Sequence, residues 1–195
     1  MDNKLRIVNY LGKHIGQSFT MLELSKAAGV PYATFYRTLH RMKELVKVRR
    51  VGKSKTVSLN TDNASIKPYL TISSEEEKQD FLKKQLILGK IASEFNTKDV
   101  VVLFGSYAKG SETERSDIDL LIISKGGEKS LSFSKYEVLF RKKINPIFVT
   151  KKEFEKMLLD KNENVGKQAL KNHIILNNPE SFWEAVLHGR IQEAV

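Results

Sequence analysis

The sequence predicts an α+β protein of two domains. Residues 1–62 are expected to form a basic domain of helices closed by a β-hairpin, and residues 75–195 an α/β domain with a small mixed sheet and carboxyl-terminal helices. Positive charge concentrated in the first third, helix-start signals before a hairpin pattern, and two buried-strand runs around a polar loop lead to this prediction. A length of 195 residues suits two small domains.

Lysine and arginine are unevenly distributed along the chain. Residues 1–60 contain 12 Lys and Arg against three Asp and Glu, so they carry +9 of the total formal charge of +10. An excess confined to one segment predicts a polyanion-binding module joined to an electrically balanced one. The boundary is expected near residues 60–75, where Pro68 and polar residues interrupt the periodic pattern.

The composition excludes several classes of protein. There is no cysteine, so disulfides and thiolate metal sites are excluded. The longest apolar runs fall far short of a bilayer span, and the first residues do not read as a signal peptide. A cytoplasmic protein without membrane attachment is the expectation.

The basic segment contains a helix-turn-helix pattern. Thr20 and Glu23 have the spacing of a capping box, which predicts a helix over 21–27. Gly29 supplies a turn with positive φ, and Pro31 suits the first position of a second helix. The second helix has a predicted buried stripe at helical spacing, formed by Phe35, Leu39 and Met42.

A basic hairpin follows the second helix. Residues 46–51 and 55–59 read as strands joined through Gly52, Lys53 and Ser54. With the pattern LSKAAGVPYATFYRTL, residues 4–60 resemble the winged helix-turn-helix family, which implies a second helix in the major groove of double-stranded DNA and a wing on its backbone. The resemblance implies these DNA contacts: Tyr32, Tyr36, Arg37, Arg41, Arg49, Arg50, Lys53 and Lys55. A protein-docking module, with the two tyrosines covering the core, is the alternative.

The second domain contains two apolar strands around a polar loop. Residues 100–104 form a β-branched run, and Gly105 and Ser106 follow it where a helix could begin and bind an anion. On the second strand Asp117 and Asp119 point to one face, about 7 Å apart. Paired carboxylates repel one another unless a cation lies between them, and oxygen ligands favour Mg²⁺ or Mn²⁺.

The segment GSYAKGSETERSDIDLLI resembles the DNA polymerase beta nucleotidyltransferase superfamily, and is most similar to its minimal nucleotidyltransferase branch. The resemblance implies that Gly105 and Ser106 hold the triphosphate of a nucleotide. It implies that Asp117 and Asp119 are catalytic and bind the metal ions. A P-loop is excluded because Ser111 and Glu112 stand where it needs Lys followed by Ser or Thr.

A third carboxylate is missing from the expected place. Active members of the superfamily carry it on a later strand, which corresponds here to residues 144–149, and Asn145 occupies the position. An amide has no charge and accepts no proton at neutral pH. Nucleotide binding is therefore expected more firmly than turnover, with Glu137 or Glu153 as alternative third carboxylates.

Other elements are predicted from local signals. A capping box at Ser74 predicts a helix to about Phe95, and helices are expected over 151–160, over 164–172 and from 179 onward. Aromatic residues of the last helix are interpreted as core or dimer contacts. The basic run 141–143 either meets phosphates near the site or is a solvated strand end.

Two functions are consistent with these patterns. The first is a DNA-binding transcriptional regulator, expected as a homodimer, whose second domain binds a magnesium nucleotide and is catalytically weakened by Asn145. The alternative is an active nucleotidyltransferase that transfers a nucleoside monophosphate to protein or nucleic acid, as antitoxins related to the minimal transferases do.

Overall fold

The computed structural model describes residues 1–129 and 131–191, which divide by their internal contacts into two units, Met1–Glu76 and Glu77–Val195. Each unit has its own sheet and its own buried apolar residues. No helix in the described ranges is long and apolar enough to cross a membrane.

The first unit consists of helices around a three-stranded antiparallel sheet of order β1-β3-β2. Its elements are α1 (Asn3–Lys13), β1 (Phe19–Thr20), α2 (Met21–Ala27), α3 (Tyr32–Arg41), β2 (Val46–Val51), β3 (Ser54–Leu59) and the first part of α4 (Ile66–Leu82). A single 3-10 turn, Lys43–Leu45, connects α3 to β2.

Helix α2 begins directly after its capping-box threonine and ends at Ala27, as predicted. The Thr20 hydroxyl accepts a hydrogen bond from the Glu23 amide at 3.2 Å, and the Glu23 carboxylate accepts one from the Thr20 amide at 2.8 Å. Gly29 has the predicted positive φ, at 63°. Helix α3 starts one residue later than predicted, because Pro31 is its N-cap. The predicted stripe Phe35, Leu39 and Met42 is fully buried.

Two elements of the first unit were not predicted. Helix α1 is capped by Asp2, whose side chain accepts from the Leu5 amide at 2.8 Å, but no glutamate at the third helical position completes a capping box. Strand β1 is only two residues long, too short for an alternating pattern. The predicted hairpin is present as β2 and β3, with the two-residue turn formed by Gly52 and Lys53.

The capping box predicted at Ser74 is wrong. Helix α4 runs without interruption through Ser74, which is buried, and the helix then ends at Leu82 instead of continuing to Phe95. Pro68 was interpreted as a breaker, yet it lies in the first turn of α4, where its missing N–H has no helical acceptor. The division between the units falls inside this helix.

The second unit is a four-stranded mixed sheet with helices on both faces, which confirms the α+β class with a small mixed sheet. Its strand order is β6-β5-β4-β7, with β5 and β6 parallel and the other pairs antiparallel. The elements are α5 (Leu86–Ser93), β4 (Val100–Phe104), α6 (Gly105–Lys109), β5 (Ile118–Ser124), α7 (Ser134–Phe140), β6 (Ile144–Thr150), α8 (Lys151–Leu159), α9 (Val165–Lys171), β7 (Ile174–Asn177) and α10 (Pro179–Ile191).

The central strands β4 and β5 are buried on both faces, because helices cover the sheet on each side. On β4, Val101 and Leu103 face a core shared with α5 and α7. Helices α8, α9 and α10 contact the sheet and cover its other face. Phe182 and Trp183 of α10 are fully buried, so they belong to the core of this unit.

Candidate functional site

The end of β4 brings Gly105 against the carboxylate of Asp119. Phe104 pairs with Asp119 across β4 and β5, so the next residue along β4 lies beside that side chain. A Cβ atom on Gly105 would lie 2.2 Å from Asp119 Oδ2, and Gly105 has a φ of 72°. Both facts require glycine here. Ser106 follows in the first turn of α6, which Gly110 closes in the left-handed conformation.

The loop 111–117 delivers the second carboxylate to the same edge of the sheet. Within it the Thr113 amide donates to the Ser116 hydroxyl at 2.9 Å, and the Lys142 ammonium donates to the carbonyl of Glu114. Asp117 lies one residue before β5, so it points to the same face as Asp119, as predicted. Its side chain is 38% exposed.

Strand β6 and the residue before it place two polar side chains opposite the two aspartates. The parallel register pairs Asp119 with Asn145, and the Ile118 amide donates to the Lys143 carbonyl at 2.9 Å. The Asn145 amide nitrogen donates to Asp117 Oδ2 at 3.1 Å and to Asp119 Oδ1 at 3.3 Å. The Lys143 ammonium lies 3.4 Å from Asp117 Oδ2. Each carboxylate therefore has Asn145 of β6 as a neutral neighbour, and Asp117 also has a cationic one, Lys143, immediately before that strand.

The two glutamates considered as substitutes for the third carboxylate are engaged elsewhere. Glu137 accepts a hydrogen bond from the Ile144 amide at 2.9 Å and so holds the start of β6. Glu153 accepts from the backbone and hydroxyl of Thr150 in the capping box of α8, and these hydrogen bonds lower the pKa of Glu153. Among residues 1–129 and 131–191, no three His, Cys, Asp or Glu side chains form a group that could hold a metal ion.

The residues present fit one divalent cation. Asp117 and Asp119 both reach the Asn145 amide nitrogen, so their oxygens converge on a single point. A half-turn of that amide would present its oxygen instead of its nitrogen, giving a set of two charged and one neutral oxygen ligand. Hard oxygen ligands of this kind suit Mg²⁺ or Mn²⁺.

A second candidate surface lies on the first unit. Tyr32 and Tyr36 on α3 are 48% and 41% exposed, and the Tyr32 ring stacks on the buried Phe35 at 6.4 Å between ring centroids. Together with Lys53 and Lys55 of the hairpin they line a depression of about 390 Å³. Half of the eight predicted DNA contacts therefore meet on one surface.

The other four predicted DNA contacts are exposed but spread over more than one face. Arg37 and Arg41 lie one turn apart on α3. On the hairpin, Arg50 pairs with Lys55 and shares its face, whereas Arg49 pairs with Thr56 and points to the opposite face. Arg49 is thus separated from the Lys55 surface by the sheet itself.

Lys143 is the site residue that sequence reasoning assigned least clearly. It was noted as part of the basic run 141–143, for which a solvated strand end was one interpretation. The signal that could have singled it out is its spacing of two from Asn145, which puts both side chains on one face of a strand. Only one member of the basic run has this spacing.

Known proteins resemble the second unit. Residues 84–176 match the family described as nucleotidyltransferase domain. A relative from Methanocaldococcus jannaschii, named "Putative protein adenylyltransferase", is 37% identical over 75 residues, which cover 35% of this chain and 75% of that protein. No solved structure gives a significant match. By its Gly-Ser and Asp-x-Asp residues, and by these matches, the chain belongs to the nucleotidyltransferase domain family.

Proposed function

We propose that the second unit binds a nucleoside triphosphate with Mg²⁺ and slowly transfers its nucleotidyl group to a hydroxyl of a protein acceptor. The observation that carries this proposal is the meeting of Asp117, Asp119 and Gly105 at one edge of the sheet. The name of the relative, an adenylyltransferase acting on protein, favours ATP and a protein acceptor.

Each residue has a distinct role in this proposal. Gly105 and Ser106 bind the triphosphate, and Asp117 and Asp119 hold the cation. Bound Mg²⁺ neutralises phosphate charge and stabilises the attacking and leaving oxygens. The acceptor oxygen forms a bond to the α-phosphorus, the bond from that phosphorus to the bridging oxygen breaks, and pyrophosphate leaves. The hydroxyl proton passes to water.

Asn145 limits the rate of this transfer. A carboxylate at this position could take the acceptor's proton, whereas the amide cannot. Loss of a general base typically costs about 10²- to 10⁴-fold in rate. The protein therefore binds the nucleotide well but transfers its nucleotidyl group slowly.

Calorimetry of each nucleoside triphosphate with Mg²⁺ tests the binding step. The wild type is expected to bind ATP, whereas the double change Asp117→Asn with Asp119→Asn removes two ligand charges and abolishes binding. Asp99→Asn is the matched control, because Asp99 lies at the opposite end of β4 from the site. Unchanged binding in the double variant would refute the site.

Labelled ATP tests the transfer step. Incubation of the protein with α-labelled ATP, Mg²⁺ and cell extract is expected to label a protein band slowly, and Asp117→Asn abolishes the label. Label that stays equal in the variant would show that another enzyme in the extract produces it.

We further propose that the first unit is a winged helix-turn-helix that binds double-stranded DNA and lets the protein act as a transcriptional regulator. The exposed tyrosines of α3 and the lysines at the hairpin tip favour this function, since they border one depression. Helix α3 would enter the major groove while the β2–β3 hairpin rides on the phosphates.

Two hairpin variants test this DNA interface. Lys55→Ala is expected to weaken binding to a duplex several-fold because it removes a phosphate contact, while Arg49→Ala, which removes the same charge from the opposite face, has less effect. Fluorescence anisotropy of a labelled duplex measures both. Equal losses would mean that overall charge, rather than this surface, binds the DNA.

A further inference from the structure

Four side chains at the sheet edge form two facing pairs. Asp119 of β5 pairs with Asn145 of the parallel strand β6, and Asp117 lies beside Lys143 one residue before these strands. Residues at a spacing of two share a face of each strand. The Lys143 ammonium lies at Asp117 because both residues immediately precede strands that pair in parallel, Ile118 with Ile144.

We propose that this site binds its nucleotide with a single divalent cation, and that Lys143 supplies the positive charge of a second one. The inference rests on the proposed nucleotide site and adds which groups supply its positive charge. Lys143 is a binding residue for the phosphates in this arrangement, and it also competes with the cation for Asp117.

The charges of the two possible arrangements are equal. A site of three carboxylates with two divalent cations carries a net charge of +1. Two carboxylates, one lysine and one divalent cation also carry +1, because the missing carboxylate and the missing cation are replaced by a single ammonium. A triphosphate therefore meets the same net positive charge in either site.

The geometry agrees with one cation rather than two. A second cation needs charged oxygens of its own, yet Glu137 is held by the Ile144 amide and Glu153 by Thr150. Within the described ranges no three His, Cys, Asp or Glu side chains form a group that could hold a metal ion. Lys143 is 68% exposed, so its side chain can move from Asp117 to a phosphate without unpacking a core.

The experiment measures the binding of Mn²⁺ alone, and of α,β-methylene ATP at saturating Mn²⁺, by equilibrium dialysis with metal analysis. The wild type is expected to retain one Mn²⁺ per bound nucleotide. Lys143→Met is expected to change the affinity for Mn²⁺ alone and the affinity for the nucleotide in opposite directions. Affinity for Mn²⁺ alone rises about two- to fivefold, the size of a partly exposed ion pair, while affinity for the nucleotide falls.

Two further variants sharpen the test. Lys161→Met, an exposed lysine in the loop before α9, is the matched control and changes neither affinity. Asn145→Asp restores a third carboxylate, so the nucleotide is expected to bind with two Mn²⁺. Circular dichroism confirms that each variant is folded, and a variant that is not folded is replaced by Lys143→Gln or Asn145→Glu.

The outcomes separate this inference from the proposed function. Two Mn²⁺ per nucleotide in the wild type, or both affinities moving in the same direction in Lys143→Met, would overturn the role of Lys143 and leave the nucleotide site intact. A wild type that retains no nucleotide at any Mn²⁺ concentration would overturn the proposed function, and the inference with it.

Discussion

Gly105 shows how a single backbone position can control the site. Its φ of 72° is readily adopted only by glycine, and Asp119 Oδ2 occupies the space that any Cβ would need. The close approach also fixes where the carboxylate points. A side chain at this position would push the Asp119 carboxylate away from that of Asp117.

Gly105→Ala is therefore expected to abolish magnesium nucleotide binding and to lower the free energy of unfolding by about 1–3 kcal/mol, from backbone strain and the displaced carboxylate. Calorimetry and denaturant unfolding measure the two effects. Gly110→Ala is the control, because it has the same positive φ but nothing within 4 Å of its Cβ position. Nucleotide binding that survives in Gly105→Ala would show that the close approach of Gly105 to Asp119 is not needed for binding.

The sequence predicts which position Asn145 occupies, but it does not predict which side chains Asn145 contacts. Its place on an apolar strand after the Asp-x-Asp segment predicted that it stands at the third carboxylate position. The register that pairs it with Asp119 belongs to the sheet. Local spacing determines which face a side chain is on, whereas pairing between strands determines what it meets.

At the scale of elements, Glu94 connects the end of α5 to α7. Its carboxylate accepts from the Lys135 ammonium at 2.5 Å and from the Tyr136 hydroxyl at 2.8 Å, and it lies 3.0 Å from the Lys90 ammonium. These hydrogen bonds, that of Lys135 most strongly, lower the pKa of Glu94 from 4.5 to about 2. The two helices cover the same face of the sheet.

Glu94→Gln is expected to make unfolding less sensitive to acid. Because the folded pKa is below the ordinary value, the carboxylate stabilises the fold above pH 4.5 and the wild type loses this contribution as the pH falls towards 2. The variant is less stable at neutral pH and has a flatter profile between these limits. Thermal unfolding across this pH range measures it, with Glu128→Gln as an exposed control. Parallel profiles for all three proteins would contradict the role of Glu94.

Helix α4 shows where local signals compete. Ser74 with its three following glutamates resembles a helix start, but the same residues are equally suited to a helix interior. The burial of Ile66, Leu70 and Ser74 along α4 selects the longer helix. Packing of an apolar stripe outweighs a cap that would stabilise the helix by only about 1 kcal/mol.

For the whole molecule, the distribution of charge is the dominant feature. Residues 1–60 carry +9 and the remaining residues +1. Residues 1–60 therefore provide most of the long-range attraction for a polyanion, and the nearly balanced residues 61–195 contribute little to it.

DNA affinity of the 195-residue protein is expected to fall steeply with salt. If the five cationic contacts other than Arg49 neutralise phosphates, the plot of log affinity against log salt has a slope of about −4 to −5. Anisotropy titrations at several salt concentrations measure this slope. A slope near zero would exclude DNA as the ligand of the first unit.

The sequence by itself determined the features that depend on near neighbours. The capping box at Thr20, the hairpin turn at Gly52, and the Gly-Ser and Asp-x-Asp segments all act over a few residues, and each is present in the structure. Only the tertiary structure decided that Lys143 lies beside Asp117, and that Glu137 and Glu153 do not reach the site. These contacts join residues on different elements, so strand register and helix packing set them, and no local pattern specifies either.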